Sequence, residues 1–312
     1  PAFSLGLSTH FDAWGDWRKA ISNITNRADV AMAKVVGVSA GRPEWVYFKW
    51  KGHEDVWSNH QKGAKEDLIA KAAATFHKSE FKVAAFIDVF GPEYIKKHPG
   101  TAAIGFDGKQ HGEQLGFMEI VEGEYGQLIL EMIEYLCKNY TVDIINLTEM
   151  PYYSYSYNAK DLNSYKLFSK RAGWPMASDG TINRDDPSIG EWRSSLMEGY
   201  IKRAADITHK YQKELYIDVP VSWNDFKQNG KEAGLDYRRV LKHADNNDIL
   251  IHTSISMLPI DYYLRQMKHD KGFIEISFPL EFALHPCWRG LNKILSQKYL
   301  LEREADDVMS QI

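Results

Sequence analysis

The chain has 312 residues, with 38 Lys+Arg against 42 Asp+Glu and a formal net charge of −4. Apolar residues make up 44% and charged residues 26%, the balance of a globular protein and one that excludes a disordered chain. No apolar run reaches the ~18 residues of a membrane span, and the absence of any Lys/Arg block, with a pI near 6.3, argues against a nucleic-acid partner.

Phe3 to Thr9 read as a first strand, ending at His10, and a helix follows from about Asp16, extending with a break to Val38. Residues 44–50 (E-W-V-Y-F-K-W), entered through Gly41-Arg42-Pro43, read as the second strand. Residues 66–78 form an amphipathic helix with Leu68, Ile69, Ala72 and Phe76 on its apolar face. Residues 81–90 are the third strand, stopped by Gly91-Pro92, and 125–139 are a helix. The fourth strand, 142–149, is apolar almost to its end, as a strand buried on both faces should be. After a long connection come a helix at 191–210, strands at 215–223 and 249–255, a helix at 261–268, a strand at 273–280 and a closing helix at 291–309.

Short strands alternating with amphipathic helices are the βαβ pattern. It fits an open doubly wound sheet or a barrel. No Gly-x-Gly-x-x-Gly or phosphate loop follows any strand. Polar and aromatic residues instead gather past strand ends, at His10, Trp50, Asp88, Glu149, Trp223 and His252, where barrel active sites lie. The expectation is an α/β fold, a (β/α)8 TIM barrel that is incomplete or irregular at seven strands. With no linker and no repeat, residues 1–312 read as one domain.

Two cysteines, Cys137 and Cys287, are too few for a disulfide framework, and each is expected as a small buried hydrophobe. The sequence starts at Pro1 without a leader-like segment, so no targeting peptide is expected in it. Aromatics reach 13%, with 9 Trp and 17 Tyr. Such a surplus fills cores or stacks on sugar rings, because Trp and Tyr join a broad apolar face to a polar tip.

The most informative stretch is 140–157, Y-T-V-D-I-I-N-L-T-E-M-P-Y-Y-S-Y-S-Y. Glu149 directly follows an apolar strand, where partial burial would raise its pKa toward the range of a general acid. The tyrosines after it, Tyr152, Tyr153, Tyr155 and Tyr157, lie in a loop with little core to fill, which suits ligand contact. Cleavage of a glycosidic bond commonly needs a second carboxylate. Asp88 and Glu275 are the better placed, each interrupting an apolar strand, while Asp218 and Glu281 read as a buried structural acid and a rim residue. No His-x-His, His-Glu-x-x-His or Gly-x-Ser-x-Gly motif occurs, so neither a metal centre nor a serine hydrolase is expected. The segment 185–192 reads as a helix start, with Pro and carboxylates at its amino end.

The block His98-Pro99, Asp107-Gly108-Lys109, the helix at 125–139 and Y-T-V-D-I-I-N-L-T-E at 140–149 resembles the hypothetical glycosyl-hydrolase-like TIM barrels of bacteria. Those are related to the C-terminal barrel of the poly-N-acetylglucosamine hydrolase. Their pattern is H-P-E-W, D-G-K, a helix, then Y-x-V-D-G-I-H-x-D-E, and the likeness runs from about Phe81 to Trp223. It implies a carbohydrate substrate and favours a secreted or cell-envelope location. Ile144 replaces the family's Gly and Thr148 its first terminal acid, so only Glu149 inherits a catalytic expectation. The resemblance then implies either a different acid pair or a lost activity.

The leading expectation is a glycoside hydrolase with Glu149 as general acid and Asp88 or Glu275 as nucleophile or base. Trp50, Tyr152, Tyr153 and Trp223 would stack on sugar, with His10 and His252 as further substrate contacts. No cofactor, metal, nucleic acid or membrane span is expected. The alternatives are a non-catalytic carbohydrate-binding barrel and, more remotely, a barrel isomerase or aldolase, for which no phosphate site or Schiff-base lysine stands out.

Overall fold

The computed structural model describes residues 6–9, 18–19, 21–22, 25–26, 34–58, 66–150, 152, 155–218, 233–240 and 242–248. The strands expected at 249–255 and 273–280 and the helices expected at 261–268 and 291–309 lie outside the described residues, as does Cys287. In chain order the strands are β1 Gly6–Thr9, β2 Val35–Arg42, β3 Trp45–Val46, β4 Lys82–Asp88, β5 Ala102–Ile104, β6 Gln110–Leu115, β7 Ile144–Thr148, β8 Glu214–Asp218 and β9 Asn246–Asp248.

The main sheet runs β1-β2-β4-β7-β8-β9 with every neighbouring pair parallel, while β3 folds back antiparallel on β2. Strands β5 and β6 form a separate antiparallel hairpin. Spatial order therefore follows chain order. A doubly wound sheet reverses its order at a switch point, and the described strands contain no reversal. Nor does the sheet close on itself among the described residues, so the architecture is α/β with strands in the order a barrel uses.

Two expected elements are corrected. Residues 35–38, read as the tail of a helix, open a parallel strand, Val35–Arg42, that is buried along nearly all its length. Alternating valines favour an extended chain, and Gly37 and Gly41 weaken a helix; a short apolar run does not separate the two by periodicity. Of 44–50, only Trp45–Val46 pairs as strand. The expected helices fare better. Leu68–Lys78 is capped by Asp67, which accepts from the Ala70 N–H at 3.1 Å. Glu124–Asn139 buries one stripe, Cys137 included. Pro187–Lys210 starts with Asp186 capping the Ser188 N–H.

The sheet has two unlike faces. Val36, Val38, Val83, Ala85, Ile87, Ile145, Leu147, Leu215 and Ile217 join the three helices in one apolar core. Among the described residues the opposite face carries a smaller apolar cluster, Val35, Ala84, Ile144 and Tyr216 with Phe86 beside them, together with buried Ser39 and Asn146. Phe86 lies across Gly37, where a Cβ would stand 2.3 Å from its ring.

At the amino ends of the strands one arrangement occurs twice. Asp143, just before β7, accepts from the Val83 N–H at 2.8 Å and pairs with His77 at 2.7 Å. Asp245, just before β9, accepts from the Leu215 N–H at 2.8 Å and pairs with His209 at 2.7 Å. Each aspartate thus ties the strand before it to the end of the helix that feeds that strand. Asp143→Ala should lower unfolding free energy by about 1 kcal/mol in urea titration, and Asp143→Asn, which keeps an acceptor, by less. Equal losses would remove the hydrogen bond as the cause.

Candidate active site

Asp88 ends β4 in register with Thr148, the last residue of β7, and Glu149 follows one step beyond. Parallel pairing therefore brings both acids to the carboxyl edge of the sheet. Asp88 is held from two sides. Its Oδ1 accepts from the Phe90 N–H at 2.8 Å, and its Oδ2 accepts from Arg42 Nη1 at 3.2 Å. Arg42 reaches it through a register shift between Ser39 and Gly41. Gly41 has φ +99°, and a Cβ there would lie 2.2 Å from the Trp45 carbonyl oxygen, so the bend requires glycine. Arg42 also lies 3.5 Å from Glu44 and 5.4 Å from the centre of the Trp45 ring. Burial raises the Glu44 carboxyl, opposed by the Tyr94 N–H and the Arg42 charge.

Glu149 adopts φ +61°, a left-handed conformation costing a non-glycine residue about 1 kcal/mol. The turn drives the next residue, Met150, into the core. The Glu149 side chain reaches solvent, yet protein surrounds much of it and holds its carboxyl above the usual range. Desolvation is the main cause, and the charges of Asp88 and Glu113 add to it.

Glu113 is the acid that the sequence reading missed. It stands on β6, in a stretch (Q-H-G-E-Q-L) with the composition of a polar loop, and the available signal was the i, i+2 spacing of His111 and Glu113 after an Asp-Gly turn. The Gly91 N–H donates to the Glu113 carbonyl at 2.8 Å, which pins the β5–β6 hairpin to the exit of β4. His111 Nδ1 accepts from the N–H groups of Glu113 and Gln114 at 3.2 and 2.8 Å. A ring nitrogen that accepts carries no proton, so in the neutral ring the proton sits on Nε2. The ring packs against Tyr155 at 4.6 Å and Phe90 at 6.3 Å. Asp88 and Glu149 thus lie at one edge of the sheet with the Arg42 cation, and the hairpin tied to that edge brings Glu113 and the His111–Tyr155 pair beside them.

Two expected sugar contacts are corrected. Trp50 is 3% exposed and Tyr152 1% exposed. Trp50 stacks on His53 at 4.0 Å and leans on Phe48. Tyr152 donates to the Leu115 carbonyl at 2.8 Å and meets Phe117 edge-on. Both fill the core and offer no open ring face. The tyrosine loop does have core to fill, because the hairpin covers it: the Tyr157 N–H donates to the Ile104 carbonyl at 3.0 Å, and Gly105 bridges Tyr155. His10, Tyr153, Trp223, His252 and Glu275 lie outside the described residues. Backbone pairing sets Asp218 in register with Asp248 at the ends of β8 and β9. Among the described residues no cluster of His, Cys, Asp or Glu has the makings of a metal site, and no helix is long and apolar enough to cross a membrane.

Beneath the loop lies a fully buried acid, Asp161. It accepts from the Met118 N–H at 2.9 Å and forms a capping box with Asn158. Burial pushes its carboxyl up to about 6, against 3.8 ordinarily, despite those donors and the Arg193 charge. Arg193, also buried, donates from Nε to Ser156 at 2.7 Å and lies over the Tyr157 ring.

The fold is similar to that of solved glycoside hydrolase domains. The chain is similar to the PgaB (BpsB) glycoside hydrolase domain from Bordetella bronchiseptica, with 13% identity, TM-score 0.62, and coverage of 95% of this chain and 99% of that one. It is also similar to the catalytic domain of β-amylase from Paenibacillus polymyxa, with 10% identity, TM-score 0.57, and coverage of 85% and 83%. A β-galactosidase from the psychrophilic Marinomonas ef1 matches at 14% identity and TM-score 0.56 over 79% of this chain, which spans only 40% of that enzyme. No protein-family model and no curated protein sequence matches the chain.

Two outcomes are expected. Glu149→Gly should be more stable than Glu149→Ala by about 1 kcal/mol in chemical denaturation, since both lack the carboxyl and only glycine relieves the positive φ. Equal stability would mean that the left-handed turn is not kept in solution. Asp161 binds its proton more tightly folded than unfolded, so its contribution favours the native state at low pH and is lost as pH rises through about 6. The Tm of the parent relative to Asp161→Asn should therefore rise from about pH 7 to about pH 5; a constant difference would contradict it.

Proposed function

We propose that the protein is a glycoside hydrolase that cleaves an oligo- or polysaccharide at the carboxyl-end face of a single, irregular (β/α) barrel spanning residues 1–312. The observation that carries this reading is the pairing of unlike acids at one strand edge. Glu149 sits where burial and two neighbouring carboxylates favour its protonated form. Asp88 is oriented by Arg42 and the Phe90 N–H. Glycosidic cleavage uses such a pair, one group donating a proton to the leaving oxygen and the other, ionised, acting as nucleophile or activating water.

Asp88 also answers the departure at Thr148. The two residues pair across β4 and β7, so a carboxylate is still supplied at that level, from the neighbouring strand. Glu275 is the alternative second acid. Tyr155 and His111 border the acids and would meet the sugar, the His111 Nε2–H as a hydroxyl-binding donor. Tyr153, Trp223, His10 and His252 are the further proposed contacts. The strands expected at 249–255 and 273–280 would extend the sheet toward closure. The motif resemblance makes poly-N-acetylglucosamine the first substrate to test.

A polysaccharide panel with reducing-end detection, run on the parent and on Glu149→Gln, tests the assignment. The parent should release reducing ends from at least one polymer, and the variant should lose about a hundredfold or more of kcat with its Tm retained. Parent activity should fall as pH rises through the Glu149 pKa, because a general acid must carry its proton. Near-normal turnover by Glu149→Gln would sink the assignment.

A further inference from the structure

Phe106 is a large apolar side chain that neither the core nor its turn requires. It lies at the tip of the β5–β6 hairpin and is 40% exposed. The turn is made by its neighbours: the Gly105 N–H donates to the Lys109 carbonyl at 2.8 Å, Asp107 accepts from the Lys109 N–H at 3.1 Å, and Gly108 takes φ +78°. None of these uses the ring at 106.

The ring is nevertheless held. The Arg184 guanidinium carbon sits 4.1 Å from its centre, a cation–π contact that covers one face and restrains the ring. Arg184 belongs to the connection after β7, whereas Phe106 belongs to the connection after β4, so two excursions from the same edge of the sheet meet at this point. An aromatic ring braced on one side and partly open, beside a group with several N–H donors, matches the requirements of sugar stacking: an apolar platform and donors for ring hydroxyls.

Its position fixes what it would bind. Ile104 pairs with Gln110 across the hairpin, which leaves Phe106 two residues beyond that pair and His111 one residue before it. Phe106 is therefore in the turn at the tip of the hairpin, while His111 and Glu113 lie on β6 on the other side of that pair, toward the acids. The same arm carries Glu113, whose charge acts on Glu149.

Resting on the hydrolase reading above, we infer that Phe106, braced by Arg184, is an outer subsite that holds the distal part of an extended polysaccharide while the acids act on a bond nearer His111. Such a subsite adds affinity for long chains and nothing for short ones, since only a long chain spans both places.

The test separates binding from cleavage. Poly-N-acetylglucosamine and an oligosaccharide of about four of its units are titrated calorimetrically against Glu149→Gln and against Glu149→Gln with Phe106→Ala, each checked for unchanged Tm. The expected result is about tenfold weaker polymer binding in the double variant with oligosaccharide binding unchanged. In the catalytically intact protein, Phe106→Ala should raise KM for the polymer and leave kcat unaltered. Equal polymer binding by the two variants, equal weakening for both ligands, or no polymer binding at all overturns the inference. Phe106-dependent binding without hydrolysis by the parent supports the subsite and overturns only the hydrolase reading.

Discussion

Because neighbouring strands along the β1-β2-β4-β7-β8-β9 path are all parallel, their carboxyl ends lie along one edge. A residue just past one strand then stands beside its counterpart on the neighbour. Parallel pairing fixes Asp88 against Thr148 and leaves Glu149 one step further on, although the two acids are far apart in sequence. The same pairing requires a long return path between strands, and among the described residues the helices that supply it pack against one face of the sheet. The other face carries a small apolar patch of Val35, Ala84, Ile144 and Tyr216 beside Phe86, with Ser39 and Asn146 buried near it. Charge placement at that edge is consistent with acid–base work: one carboxyl is pushed toward its neutral form by burial and its neighbours, while a second is steadied by a guanidinium.

Among the described residues many of the aromatic side chains serve packing. Tyr152 meets Phe117, Phe117 meets Trp192, Trp192 meets Trp174, and Trp174 stacks on Tyr165, with ring centres 4.5–5.7 Å apart. Each such contact contributes about 0.5–1.5 kcal/mol beyond the area it buries. Together they bind the long connection after β7 to the helices Phe117–Val121 and Pro187–Lys210. A connection rich in backbone groups acquires a core of its own this way. The tyrosines that most resemble ligand contacts in the sequence are partly its anchors.

What the sequence discloses and what it hides divide along physical lines. The helices at 68–78 and 124–139 carry a continuous apolar stripe, and the strands at 82–88 and 144–148 are long apolar runs with punctuation at their ends; such signals are local. Strand β2 is hidden because valines and glycines in a short run fit two periodicities, and only pairing with β1 and β4 decides between them. Glu149 is legible because an acid closes an apolar strand. Glu113 is not, since its importance comes from the Gly91 hydrogen bond that folds a polar hairpin over the end of β4. The burial of Trp50 and Tyr152 is likewise a tertiary fact: a strand-end aromatic looks the same in sequence whether it faces the cleft or the core.

The paired aspartates at the amino ends of the strands bear on where this chain can be divided. Each secures its predecessor: Val83 and His77 await residue 143, and Leu215 and His209 await residue 245. A boundary drawn between two such strands would leave the earlier one with an open backbone donor and a histidine without its carboxylate. Successive βα units are therefore interlocked on the side of the sheet away from the acids, while the connections on the acid side are joined to one another by backbone hydrogen bonds and ring contacts of their own. Variation in those loops would leave the fastening of the frame untouched.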